Sequence, residues 1–162
     1  MKLQGSCYCG AVTFSCESKH PYPYQHCYCG ICRKTAGNGG FSINLAASSD
    51  SLKVQGEENI TTFQATVKNP EDKSAKVSTA RRNFCKKCGS MLWLYDPTWP
   101  ELIHPFASAV DTELPVPPER THIMLDFKPS WVDPKIGDND KKHARYPEES
   151  IADWHARLNL GC

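Results

Sequence analysis

Seven of the nine cysteines in this chain fall into three tight groups. Cys7-Tyr8-Cys9-Gly10 is a C-x-C-G, Cys27-Tyr28-Cys29-Gly30-Ile31-Cys32 a C-x-C-x-x-C, and Cys85-Lys86-Lys87-Cys88-Gly89 a C-x-x-C-G. The chemistry this spacing suits is chelation. Two thiolates on one tight turn can reach a single ion about 2.3 Å away without moving the backbone. Gly10 and Gly89 fit, because a sharp turn past the ligand often needs positive φ. Such a turn also aims backbone N–H groups at the sulfurs.

Ligand counting then divides the cysteines. A structural zinc takes four ligands, whereas a catalytic zinc takes three and keeps an open position. Two plus two gives a closed site from Cys7, Cys9, Cys85 and Cys88, and the remaining cluster gives an open site from Cys27, Cys29 and Cys32. Spacing leaves other partitions open. Cys27 and Cys29 could join Cys85 and Cys88, leaving Cys32 spare, or one structural zinc could stand beside a redox-active middle cluster. The four-plus-three division is preferred because it uses all seven thiols. Cys16, in a strand-like stretch, reads as a small buried hydrophobe, and Cys162 as a free terminal thiol.

The elements that must position these clusters read as strands and loops. Short stretches rich in β-branched and aromatic residues occur at 11–16, 40–46, 52–55, 60–66, 76–80, 91–95, 106–110 and 122–127. They are separated by Gly, Pro, Asn and Asp, which predicts an antiparallel, mainly β domain spanning residues 1–162. Residues 68–74 (KNPEDKS) read as a polar hairpin tip, 114–120 as a proline-rich extended loop, and 133–149 as a polar surface wrap. One helix is predicted near the end. Pro147, Glu148, Glu149 and Ser150 suit its start, Ile151, Trp154 and Leu158 make its apolar stripe, and Gly161 would end it.

Composition narrows the function classes. The 19 basic side chains balance 18 acidic ones, for a net charge of +1, so there is no basic footprint for nucleic acid. The N-terminal MKLQGSCYCG has no apolar stretch suited to a signal peptide, and no apolar run approaches membrane thickness. Without a secretion signal the expected compartment is the reducing cytoplasm, where clustered cysteines point to metal or catalysis rather than disulfides.

The three motifs in this order resemble the glutathione-dependent formaldehyde-activating enzyme family, which includes centromere protein V relatives. The matching segments are Gly5-Ser6-Cys7-Tyr8-Cys9-Gly10-Ala11-Val12, Cys27-Tyr28-Cys29-Gly30-Ile31-Cys32-Arg33-Lys34 and Arg82-Asn83-Phe84-Cys85-Lys86-Lys87-Cys88-Gly89-Ser90. The stretches around His122 to Trp131 and Ile151 to His155 are similar as well. The resemblance implies a β-tent of antiparallel sheets, with Cys7, Cys9, Cys85 and Cys88 structural and Cys27, Cys29 and Cys32 catalytic. It also implies two zincs per chain and carbon–sulfur lyase or synthase chemistry on glutathione or a glutathione adduct. Ala36 stands where a serine is common in the family, and 68–74 lengthens the central hairpin; both bear on the substrate more than on the fold.

With three thiolates, a zinc centre carries net negative charge, and a substrate thiolate adds to it, so positive groups must lie nearby. Arg33 and Lys34 follow Cys32 directly. With Arg82, three residues before Cys85, they are the candidate substrate-binding groups, and Arg81 is a further candidate. Guanidinium groups pair carboxylates in a forked geometry, but any one of these cations could equally be a solvated surface charge. His26 could be a proton donor or spare ligand, and His122 reads as a satisfied core histidine. Asp111 is either a turn residue or an acid–base group; Trp93, Tyr95, Trp99 and Phe106 are core or thiol-pocket aromatics. The competing function is a non-catalytic, zinc-stabilised binding module for a protein or small thiol, which predicts closure of both sites by four ligands. A redox or zinc-buffering role is the third reading. A sulfoxide-reductase-type chemistry would need a reactive cysteine off the metal, and neither Cys16 nor Cys162 has that context.

Overall fold

The computed structural model describes residues 1–68 and 74–160. In chain order it contains β1 (Lys2–Ser6), β2 (Thr13–Glu17), β3 (Gln25–Cys27), α1 (Gly30–Ala36), β4 (Ser42–Ile43), β5 (Ala47–Ser48), β6 (Lys53–Gln55), β7 (Ile60–Lys68), β8 (Ala75–Cys85), β9 (Met91–Tyr95), β10 (Leu102–Pro105), β11 (Thr121–Ile123), β12 (Lys141–Lys142) and α2 (Ile151–Arg157). The strands form three sheets, ordered β1-β2-β6, β5-β10-β9-β8-β7 and β12-β11-β3-β4.

The period-2 pattern of β1 and β2 sends Leu3, Phe14 and Cys16 inward. They meet Leu45, Leu92, Trp93 and Ile103 in the main core, and Trp93 sets its ring edge-on to Phe14 at 5.3 Å. Cys16 is thus a core residue, with its thiol pushed up to about 11, chiefly by burial. In the five-stranded sheet Arg82, Leu94 and His104 form one row across β8, β9 and β10. His104 Nδ1 lies 2.9 Å from the Leu45 carbonyl oxygen, and residues 44–48, after β4, run antiparallel along β10 at the edge of this sheet.

Antiparallel pairing holds in the first two sheets. The third is mixed, because β11 runs parallel to both β3 and β12. A parallel pair needs a long crossover; between β3 and β11 the chain builds the whole five-stranded sheet. The C-terminal segment then closes over this third sheet. Trp154 of α2 stacks on Tyr24 with ring centroids 3.8 Å apart, and its Nε1–H donates to Glu119 at 3.0 Å. Ser150 and Asp153 form a reciprocal cap at the helix start. Leu158 is the C-cap; Gly161 and Cys162 lie outside the described residues, as do residues 69–73 of the expected hairpin tip.

Several elements differ from the sequence reading. Strands β1, β3, β5, β10 and β12 join those expected, being too short or too polar to stand out. Residues 106–110 form a single 3-10 turn at Ala107–Ala109 instead of a strand. Strand β11 ends at Ile123, where Met124 takes φ 62° and diverts the chain into another 3-10 turn at Leu125–Phe127. Helix α1 was not expected, because its seven residues bury only Cys32 and show no apolar stripe. No helix among the described residues is long and apolar enough to cross a membrane.

Candidate metal centres

The structure gathers the clustered cysteines as four and three. Cys7, Cys9, Cys85 and Cys88 place their sulfurs within 4.8 Å of one another, and so do Cys27, Cys29 and Cys32. The alternative partition, with Cys27 and Cys29 joining Cys85 and Cys88, does not occur.

The four-cysteine group is built from two turns at strand ends. After β1, the Gly10 N–H donates to the Cys7 carbonyl at 3.0 Å; after β8, the Gly89 N–H donates to the Cys85 carbonyl at 2.8 Å. Both glycines have the positive φ the turn requires, 71° and 76°. Tyr8 N–H donates to Ser90 Oγ at 3.1 Å and links the two turns. The sulfur separations are 3.6 Å for Cys7–Cys9 and 3.8 Å for Cys9–Cys85. Sulfurs about 2.3 Å from a tetrahedral centre stand about 3.8 Å apart, so this set fits a four-coordinate ion such as zinc. Two of the four thiols are favoured as thiolates, whereas the Ala11 backbone lowers Cys9 less than Cys7 and its other surroundings together raise it, to about 11. Burial alone would raise Cys7, but the Val12 N–H at 3.2 Å, with Cys9 and Cys85, takes it below its ordinary value. Ser90, through its hydroxyl and then its N–H, lowers Cys88 to about 5.

The three-cysteine group sits at the junction of β3 and α1. Cys27 ends the strand, Cys29 is the helix N-cap with its sulfur accepting the Cys32 N–H at 3.3 Å, and Cys32 lies in the first turn. Cys27 and Cys32 are buried, and Ile123 and Met124 pack against the trio. The thiols influence one another strongly. Hydrogen bonds from Cys27 and then Cys29 lower Cys32 despite its burial, with Ser42 and Arg82 adding to the effect; Cys29 and then Cys32 drive Cys27 upward. One thiolate is therefore favoured before any ion binds.

Of the candidate cations, Arg82 is 5% exposed, and its Nε and Nη1 have no hydrogen-bond partner. A buried guanidinium left unpaired beside three thiols fits a centre that becomes negative on metal binding. Arg33 is half-buried and its Nε also lacks a partner, whereas Lys34 is exposed. Arg81 is exposed beside Trp93 and Tyr95, on a neighbouring row of the sheet from Arg82.

The remaining candidates resolve as follows. His26 stacks on Phe41 at 4.3 Å and is lowered to about 4, chiefly by burial and then by His122 and Arg120, which leaves it neutral and off both clusters. His122 is a satisfied core histidine: Nδ1 lies 2.9 Å from Tyr28 Oη and Nε2 3.5 Å from Asp140 Oδ2. Asp111 is exposed, with its N–H on the Gln4 carbonyl. Trp93 and Phe106 are buried, and Trp99 is largely exposed.

Two participants were missed in the sequence. Asp140 accepts the Arg120 N–H at 2.7 Å and the Gly137 N–H at 2.8 Å, and through His122 it supports Tyr28, the residue between two of the cysteines. Tyr146 is largely exposed, yet its phenol is raised by local desolvation and then by Cys27, Cys29 and Cys32, which places it near the trio. The Arg145 carbonyl accepts the Met124 N–H at 3.0 Å and sets that position. Nothing in residues 133–149 marks these two, because the pairing of β12 with β11 brings them in.

Comparison with known proteins agrees with this picture. The sequence model described as glutathione-dependent formaldehyde-activating enzyme matches residues 2–126. A protein of Halomonas elongata, whose description provisionally assigns it that same activity, is 53% identical over 160 residues, covering 99% of this chain and 98% of its own. A crystal structure of a Rhodobacter sphaeroides protein superposes with a TM-score of 0.52 at 27% identity, covering 71% of this chain and 92% of that one.

Proposed function

Because the chain belongs to the glutathione-dependent formaldehyde-activating enzyme family, we propose that it is a zinc-dependent carbon–sulfur lyase or synthase acting on glutathione adducts. The observation that carries this reading is the contrast in ligand number: four sulfurs converge in one group and only three in the other. The four would hold a structural zinc. The three would hold a second zinc with a position left for substrate. That zinc supplies a means of keeping a substrate thiol deprotonated near neutral pH.

The chain's own residues define the rest. Cys27, Cys29 and Cys32 are fixed by a strand end, a helix cap and a first helical turn, so their sulfurs need no rearrangement. Arg82 offsets the negative charge that gathers at the trio. Arg33 and Lys34, on α1 after Cys32, are the groups proposed to meet the carboxylates of glutathione. Met124 and Ile123 wall the trio on the β11 side and limit water there.

The test uses the protein with cobalt in place of zinc. Glutathione should strengthen the thiolate-to-cobalt charge-transfer absorption, and S-methylglutathione should not. Charge reversal, Arg33→Glu, should weaken glutathione about tenfold and a small neutral thiol less. An unchanged spectrum at saturating glutathione would rule out direct thiol ligation and favour a zinc-stabilised binding module.

A further inference from the structure

Beside the three cysteines lies a group of buried polar atoms that the fold leaves without partners. Ser42 stands opposite Cys27 in the β3–β4 ladder, where facing side chains are close neighbours. It is buried, and its Oγ is near enough to Cys32 to lower that thiol but aligned for a hydrogen bond with no group. Asn44 follows two residues later, on the same side of an extended segment, and its Oδ1 is likewise buried and unpartnered. Arg82 Nε and Nη1 complete the set. Residues 44–48 pair antiparallel along β10, so the row Arg82–Leu94–His104 continues onto Ala46, two residues after Asn44 and on the same side of the segment. A buried polar atom without a partner costs about 1–3 kcal/mol, so several on one side of a cysteine cluster indicate a place for a polar ligand.

We propose that Ser42, Asn44 and Arg82 form an oxygen-binding recess beside Cys32, which receives the carbonyl-derived oxygen of the substrate electrophile. The inference deepens the reading above, on which its reaction rests. In the addition, the sulfur lone pair forms the carbon–sulfur bond, the carbonyl π pair moves onto oxygen, and the proton released from the thiol ends on that oxygen. No oxidant or reductant is needed. Arg82 offers N–H donors to the charge developing on oxygen, as an oxyanion hole does. Ser42 can donate or accept, and Asn44 Oδ1 accepts the O–H of the hydroxyalkyl product. Arg82 is accordingly assigned to the reacting atoms, leaving the carboxylates of the thiol to Arg33 and Lys34. The recess requires a small oxygen-bearing carbon next to sulfur and gives no advantage to a purely alkyl thioether.

Formate is a suitable probe, since it is a planar one-carbon ligand close in size to the smallest aldehyde, carries on oxygen the negative charge that develops in the addition, and needs no thiol. Binding of carbon-13-labelled formate to the zinc-loaded protein, read by carbon NMR line width, should be weakened about tenfold by Ser42→Ala or Asn44→Ala and lost in Arg82→Met, with zinc content unchanged. Arg82→Lys, which keeps the charge but loses the fork, serves if the methionine variant does not fold, and should weaken formate as well. Lys135→Ala, at an exposed surface ion pair away from both cysteine groups, should leave formate binding as it is. Absence of formate binding to the unaltered protein, or equal binding by the Ser42 and Asn44 variants, would overturn the recess. A cobalt spectrum that ignores glutathione while formate binding follows the variants would remove the thiol chemistry and leave the recess standing. The converse result would remove only the recess.

Discussion

Cys9 and Cys88 stand in solvent above the buried Cys7 and Cys85, whereas in the second group Cys27 and Cys32 are buried and Cys29 is half-buried. The quartet is gripped by two strand-end turns whose backbone N–H groups and Ser90 supply the polar environment, and Tyr8 between two of its cysteines is 97% exposed. The trio instead draws on distant side chains: Arg82 from the five-stranded sheet, and Asp140 acting through His122 and Tyr28. Tyr28, the counterpart of Tyr8, is buried. The difference teaches that solvent exposure of the ligands does not mark the centre proposed to be reactive. The self-sufficient site is the wet one, and the site short of a ligand is the one the fold surrounds.

The sharpest way to break this comparison is to remove one ligand from each group. Cys85→Ala should destabilise the protein by about 5 kcal/mol or more, because a structural zinc contributes folding free energy directly. Cys29→Ala should remain folded and lose activity. Urea unfolding followed by circular dichroism decides between them, and equal unfolding of both variants would end the division into structural and catalytic sites.

A smaller effect is expected from the buttress of the trio. Asp140→Asn should weaken zinc at Cys27, Cys29 and Cys32 by roughly 10–100-fold and leave the quartet unchanged, since groups that orient metal ligands typically have effects of that size. Titration with a chromophoric chelator should then show the first step of metal release shifted and the second in place. A shift in both steps, or in neither, would mean that Asp140 serves the fold alone.

The smallest effect is a pH dependence from His26, beside Cys27 in sequence and stacked on Phe41. Burial, then His122 and Arg120, lower His26 to about 4 in the fold, against about 6.5 in an unfolded chain. The unfolded chain therefore takes up the proton first. The stability is fully present above about pH 6.5 and declines as pH falls toward 4. His26→Phe, which keeps the stacking on Phe41, should flatten that decline in urea midpoints between pH 7 and 5. Zinc content is measured in the same samples, and an unaltered slope at constant zinc would show that His26 contributes none of it.

Much of this was legible in the sequence because chelation is local. A C-x-C-G or C-x-x-C-G dictates its own turn, and the count of thiols in each motif suggested four plus three before any geometry was known. The mainly β class and the helix starting at Ser150 were legible for the same reason, since alternation and capping act over a few residues. What could not be read depends on long-range registration. That Arg82 is buried on one face of the sheet while Arg81 is exposed on the other, in line with Tyr95 and Ile103, follows from the pairing of β8, β9 and β10. Ser42 became part of the site only because β4 pairs with β3, and Asp140 only because β12 pairs with β11. Helix α1 was hidden by its own chemistry: a cysteine sulfur takes the cap position usually filled by Ser, Thr, Asp or Asn.

The contact between Cys9 and Cys85 also spans 76 positions of the chain. An ion held by the quartet is thus a cross-link, and by the chain-entropy estimate used for disulfides, closing a loop of that size restricts the unfolded ensemble by about 4–5 kcal/mol. The closed loop contains the trio, helix α1 and strands β2 to β8. Sheets built from such distant partners assemble slowly, because the entropy of closure must be met before their contacts form. An early capture of metal by residues 7, 9, 85 and 88 shortens that search for everything between them. A quartet loaded that early would act as a fastener before the fold is complete, and the residues it encloses include the three cysteines on which the proposed chemistry depends.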